Sequence, residues 1–123
     1  MTDIIDIDKL KNILKAFVEA RDWGKFHNPK NLSMALAVEA GELLEIFQWV
    51  SDVGSLNAYN STEIKEKTSH ELADILFYII HIASFMNINL NEALHNKLAI
   101  NHGKYPSDRV KGSARKYNEY ANE

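Results

Sequence analysis

Apolar residues recur at helical spacing along most of this chain. Leu10, Ile13, Leu14 and Phe17 follow an i, i+3, i+4, i+7 pattern, which predicts a first helix from about Ile7 to Arg21. A polar stretch, "DWGKFHNPKN", then interrupts the pattern. A second helix is predicted after Asn31, a candidate N-cap, and ends near Ser51. The Gly-, Ser- and Asn-rich "SDVGSLNAYNST" reads as a loop, and a third helix follows from about Thr62 to Met86. Asn89 is a candidate cap for a fourth, which runs to about Lys104 and is stopped by Pro106. Alternating strand patterns are absent. The expectation is an all-α bundle of about four main helices in one domain over residues 1–123, with a polar tail from about residue 106.

Two of these helices carry carboxylates among apolar residues. In "VEAGELLEIFQW" they are Glu39 and Glu42; in "HELADILFYIIH" they are Glu71 and Asp74. On a helical wheel Leu32, Leu43, Ile46 and Val50 fall within about 40° of Glu39. Glu42 lies roughly 60° to one side, beside Ala35 and Trp49. Ile64, Ile75, Tyr78 and Ile82 surround Glu71 in the same way, with Asp74 again about 60° away beside His81 and Phe85. Acidic pairs at this spacing are ordinarily a solvated face. Here the wheel turns them toward the apolar face. Gathered carboxylates need protons, cations or basic partners to offset burial and mutual repulsion. Lys67, one turn before Glu71, is the only basic residue at hand on these helices. A hard divalent cation, Mg²⁺ with Mn²⁺ as a substitute, is the simplest partner for an all-carboxylate set. Zinc would want a convergent histidine set.

Composition narrows the function classes. The 123 residues are 46% hydrophobic and 25% charged, as in ordinary globular proteins. A net charge of -3 argues against a nucleic-acid polymer as partner. The absence of cysteine removes disulfides and thiolate metal sites and fits a cytoplasmic location. "MTDIIDIDKL" does not read as a secretory signal, and Leu72 to Met86 is too short to span a bilayer. Magnesium held by carboxylates commonly meets substrate phosphates, so cationic and aromatic groups are sought nearby. Lys97, Asn101 and Lys104 form one stripe on the fourth helix, which faces either phosphates or solvent. Trp23 and Trp49 flank the acidic segments, and either stacks on a base or packs in the core.

"RDWGKFHNPKNLSMALAVEAGELLEIFQW", "ELADILFY" and "NHGKYP" together resemble the MazG-like, all-α nucleoside triphosphate pyrophosphohydrolases, nearest their dCTP pyrophosphatase branch. The resemblance covers about Leu10 to Tyr117. It implies Mg²⁺-dependent hydrolysis of a nucleoside triphosphate, dCTP or a related deoxynucleotide first, to the monophosphate and pyrophosphate, as nucleotide-pool housecleaning. It implies metal ligation by Glu39, Glu42, Glu71 and Asp74, with Glu39 and Glu42 also handling the attacking water. Trp23, Lys25, Phe26 and His27 match the loop on the base side. Trp49 matches a second aromatic wall, and Tyr78 a substrate-contacting tyrosine. Asn101, Lys104 and Tyr105 match the segment that meets the phosphates. "SARKYNE" is similar to a basic C-terminal stretch in relatives. Some relatives carry a substrate-contacting histidine in the first helix, where this chain has Leu14. The resemblance also implies a homodimer or homotetramer.

Two rival readings remain at this point. A di-iron carboxylate bundle needs two ExxH motifs, and the chain offers only Glu92 to His95. A helical module that binds a nucleotide or a partner protein without turnover would carry the same acidic pairs.

Overall fold

The computed structural model describes residues 5–115 and 117–119. The N-terminal four residues, Lys116 and the end of the polar tail lie outside the described residues. The described residues are 79% helical, and no strand occurs among them. It divides into two units, Met1–Asn87 and Ile88–Glu123.

In the first unit, α1 spans Ile7–Ala20 and is capped by Asp6, whose carboxylate accepts from the Lys9 N–H at 3.0 Å. α2 spans Pro29–Phe47. Its cap is Asn28, which accepts from the Asn31 N–H at 2.8 Å, so the predicted cap at Asn31 is corrected by three residues. The reason is Pro29. A proline suits the first helical position, where no N–H is needed and φ is already helical. Asn31 instead donates its side-chain amide to the Phe26 carbonyl at 2.9 Å and ties the preceding loop to the helix start.

α2 stops at Phe47 rather than near Ser51. Ser51 is itself a cap: its hydroxyl accepts from the Gly54 N–H and starts the five-residue α3, Asp52–Leu56, inside the stretch predicted as loop. A 3₁₀ turn at Ala58–Asn60 follows. α4 spans Thr62–Phe85 and is capped by Ser61. α2 packs along α4, and α1 lies against α4 as well. The core between them is small: Leu14, Val18, Leu32, Ala58, Ile80 and Ala83, with Ile80 only 1% exposed.

The second unit holds α5, Leu90–Lys104, capped by Asn89 as predicted, and the short α6, Ser107–Val110, beyond Pro106. No single helix among the described residues is long and apolar enough to cross a membrane.

A candidate metal centre beside an aromatic pocket

The facing surfaces of α2 and α4 bring three of the four predicted carboxylates together. One oxygen from each of Glu39, Glu42 and Glu71 lies within 4.8 Å of the others. Glu39 and Glu71 are half-buried, as the wheel places them, and Glu42 is exposed. One oxygen of Glu39 and one of Glu71, Oε2 in each, is fully buried with no hydrogen-bond partner. Buried polar atoms are nearly always partnered, so two orphans in one cluster call for a ligand. Lys67 does not serve, because its ammonium reaches back to Glu63 at 2.8 Å. An all-oxygen set with buried, unpaired lone pairs suits a hard cation, and the cluster can hold a metal ion. A polar pocket of about 500 Å³ opens beside it, lined by Glu42, Glu45, Ile46, Ile64, Lys67, His70 and Glu71.

Asp74 stands outside the triplet. It lines a second pocket, of about 420 Å³, with Ile13, Leu14, Phe17, Val18, Trp23, His27, Phe77, Tyr78 and His81. This pocket adjoins the cluster, because the charges of Glu39 and Asp74 both reach Tyr78. Burial first, then those two charges, raise the Tyr78 pKa above its ordinary value.

Local chain geometry builds the pocket's wall. α1 ends in a Schellman turn: the Trp23 N–H donates to the Val18 carbonyl and the Asp22 N–H to the Glu19 carbonyl. Asp22 takes the left-handed conformation this turn requires, at φ 52°, which Asp tolerates better than most residues. The chain reversal sets Trp23 edge-on against Phe17, with ring centroids 5.8 Å apart. Arg21 lies over the Phe17 ring at 3.6 Å and donates to the Phe17 carbonyl, closing the helix end.

Lys25 pairs with Asp22 at 3.1 Å and lies near the Phe26 ring, and neither Lys25 nor Phe26 lines the pocket. Trp49, just past α2, is 90% exposed and lines neither pocket. Lys97, Asn101 and Lys104 lie on α5 and Tyr105 caps it, all in the second unit. Lys97 is exposed, whereas Asn101 and Lys104 are half-buried.

The profile of the MazG-like family matches residues 34–120. This chain belongs to the MazG-like family. dCTP pyrophosphatase 1 of Homo sapiens is 34% identical over 113 residues, covering 92% of this chain and 66% of that protein. The Mus musculus protein of the same name matches to the same extent. The chain thus spans just under two thirds of the length of these relatives. The crystal structure of a pyrophosphatase from Archaeoglobus fulgidus DSM 4304 aligns with a TM-score of 0.71 at 34% identity, over 86% of this chain and 97% of that one. The family profile begins at residue 34, so α1 and the Trp23 turn, which form half of the aromatic pocket, precede it.

The electrostatics of this MazG-like cluster give a testable pH dependence. Burial, followed by the close Glu71 and Glu42 carboxyls, pushes the Glu39 pKa from 4.5 up to about 7. Between these values the folded, metal-free protein holds a proton that the unfolded chain has released. Stability from this group is therefore present below about pH 4.5 and is lost as pH rises to about 7. Metal-free thermal melts across this range should show a falling Tm, and Glu39→Gln should flatten the fall. A slope unchanged by Glu39→Gln would show that Glu39 does not carry this proton.

Proposed function

We propose that this protein hydrolyses a nucleoside triphosphate, dCTP or a related deoxynucleotide first, to the monophosphate and pyrophosphate. One observation carries the reading. α4 sets Glu71 in the carboxylate cluster and, over the next three turns, Asp74, Tyr78 and His81 in an aromatic pocket. Charge and stacking surface, the two things a nucleotide presents, thus meet complementary sites on one helix. The relatives named dCTP pyrophosphatase 1 support a cytosine nucleotide as substrate, and the archaeal structure named a pyrophosphatase supports hydrolysis of a phosphoanhydride.

In this reading Glu39, Glu42 and Glu71 hold Mg²⁺, with Asp74 beside them. When bound, the ion lowers the pKa of a nearby water and neutralises phosphate oxygens. Glu39 or Glu42 orients the attacking water and takes its proton. A bond forms from the water oxygen to the α-phosphorus, and the bond to the bridging oxygen breaks in line with it. Pyrophosphate leaves with that oxygen. Trp23 and Tyr78 hold the base and sugar so that the α-phosphorus stays at the cluster.

A homodimer or homotetramer fits the surface of the first unit. Leu44, Trp49, Val53 and Leu56 are large apolar residues left exposed on a single chain, and a second copy would cover such surface. Pyrophosphate release across all canonical nucleoside triphosphates tests the activity. Release that is fastest with dCTP is expected. Tight nucleotide binding with no release would mean a binding module instead.

A further inference from the structure

The aromatic pocket holds a polar group that the reading above leaves unused. His81 sits on α4 one turn beyond Tyr78, and its ring lies 5.5 Å from that of His27, tilted by 57°. Its other ring neighbour is Tyr78, at 6.3 Å. No hydrogen bond from a described residue occupies either imidazole. His81 is half-buried and lines the pocket with the apolar Leu14, Phe17, Val18 and Phe77 as well as the polar Asp74, Tyr78 and His27; it also lines a neighbouring cleft with Lys11, Lys15 and Glu19. Burial, then the neighbouring His27, lower the His81 pKa below 6.5. At neutral pH the ring is therefore uncharged and offers one N–H donor and one acceptor nitrogen.

The polar groups of the pocket sort by position along α4. The charges of Glu39 and Asp74 reach each other and Tyr78, so Asp74 and Tyr78 mark the end of the pocket nearer the carboxylate cluster. His81 is seven residues beyond Asp74, roughly 10 Å along the helix axis. With His27 it supplies the only imidazoles on the pocket wall. A nucleobase entering here loses water from its polar edge, and an edge left unpaired in a mostly apolar pocket costs affinity. Cytosine presents an amino donor where thymine presents a carbonyl acceptor. Cytosine therefore asks for an acceptor here and thymine for a donor, and the tautomer that the His81 imidazole holds against the base decides between them.

We propose that His81 is a specificity-determining residue: it hydrogen-bonds the polar edge of the nucleobase in the aromatic pocket, with His27 beside it. This rests on the nucleotide pyrophosphohydrolase reading above, and the test separates the two.

The test compares kcat/KM for dCTP, dTTP, dATP and dGTP in the wild type, His81→Ala and His81→Asn, with thermal melts confirming that each is folded. His81→Ala should lower kcat/KM for the preferred nucleotide by at least about 5-fold, chiefly through KM. It should also shrink the preference over the next nucleotide by a similar factor. His81→Asn, which keeps a donor and an acceptor, should retain part of that preference and decides the matter if the alanine variant does not fold. Wild-type preference ratios in the folded variants, with or without a uniform drop in rate, would overturn the specificity role alone. A wild type that hydrolyses none of the four would overturn the proposed function, and this inference with it.

Discussion

Glu39→Gln and Glu71→Gln are expected to lose turnover by more than about 100-fold while remaining folded. Removing a residue that only supports a metal ligand typically costs 10- to 100-fold, and removing a ligand itself should exceed that. The loss should be accompanied by a change in metal response. A ligand that binds only the folded state stabilises it by about 2.7 kcal/mol at 100 times its Kd. Wild-type protein should therefore gain in Tm as MgCl₂ is raised, and the two variants should gain much less. Without metal the order should invert at pH 8. Each variant replaces a half-buried carboxylate whose inner oxygen has no partner, so repulsion within the cluster falls and Tm should rise. Near-normal turnover in either variant, or an unaltered Mg²⁺ gain, would remove the shared metal site.

Trp23→Ala should reduce kcat/KM for the preferred nucleotide by about 5- to 150-fold. The figure follows from base–aromatic stacking worth roughly 1–3 kcal/mol, expressed in full in the transition state. Trp23 lines the pocket edge-on to Phe17, in a place fixed by the Schellman turn that ends α1. Trp23→Phe, which keeps a smaller stacking face, should lose less. Equal activity in Trp23→Ala and the wild type would move the base out of this pocket. Trp49→Ala asks a different question, because that ring is exposed on the single chain. A comparable loss there would mean that a second copy carries Trp49 to the substrate.

Much of the helical frame was legible because its signals are local. Asn89 caps α5 as expected, α4 starts at the expected Thr62, and Pro106 stops α5 by lacking an N–H. Glu39 and Glu71 were legible for a similar reason: a wheel needs only one helix at a time. Competition between neighbouring signals was not. Asn28 and Asn31 are both good caps, and only the weight given to Pro29 decides between them. Ser51 reads equally well as the end of one helix or the start of another.

The site was legible in part. The sequence showed four carboxylates, but an offset of about 60° on the wheel does not say which side a neighbour packs on. Asp74 falls on the side facing α1 and the Trp23 turn, so it lines the aromatic pocket instead of joining the triplet. His81 stood in the sequence as one histidine on an apolar helix. Its role depends on α1 packing against α4 and on His27 arriving from the loop, and both are long-range facts. Ile13 and Phe17 show the same limit. Their spacing reads as core, yet they remain exposed because that face of α1 opens on the pocket.

The central claim is that water is added to the α-phosphorus of a nucleoside triphosphate. Hydrolysis of dCTP in ¹⁸O-labelled water, followed by mass spectrometry of both products, tests it most directly. Monophosphate and pyrophosphate should form in equal amounts, with no free orthophosphate, and the label should appear in the monophosphate alone. Label in the pyrophosphate would place the attack on the β-phosphorus and contradict the mechanism.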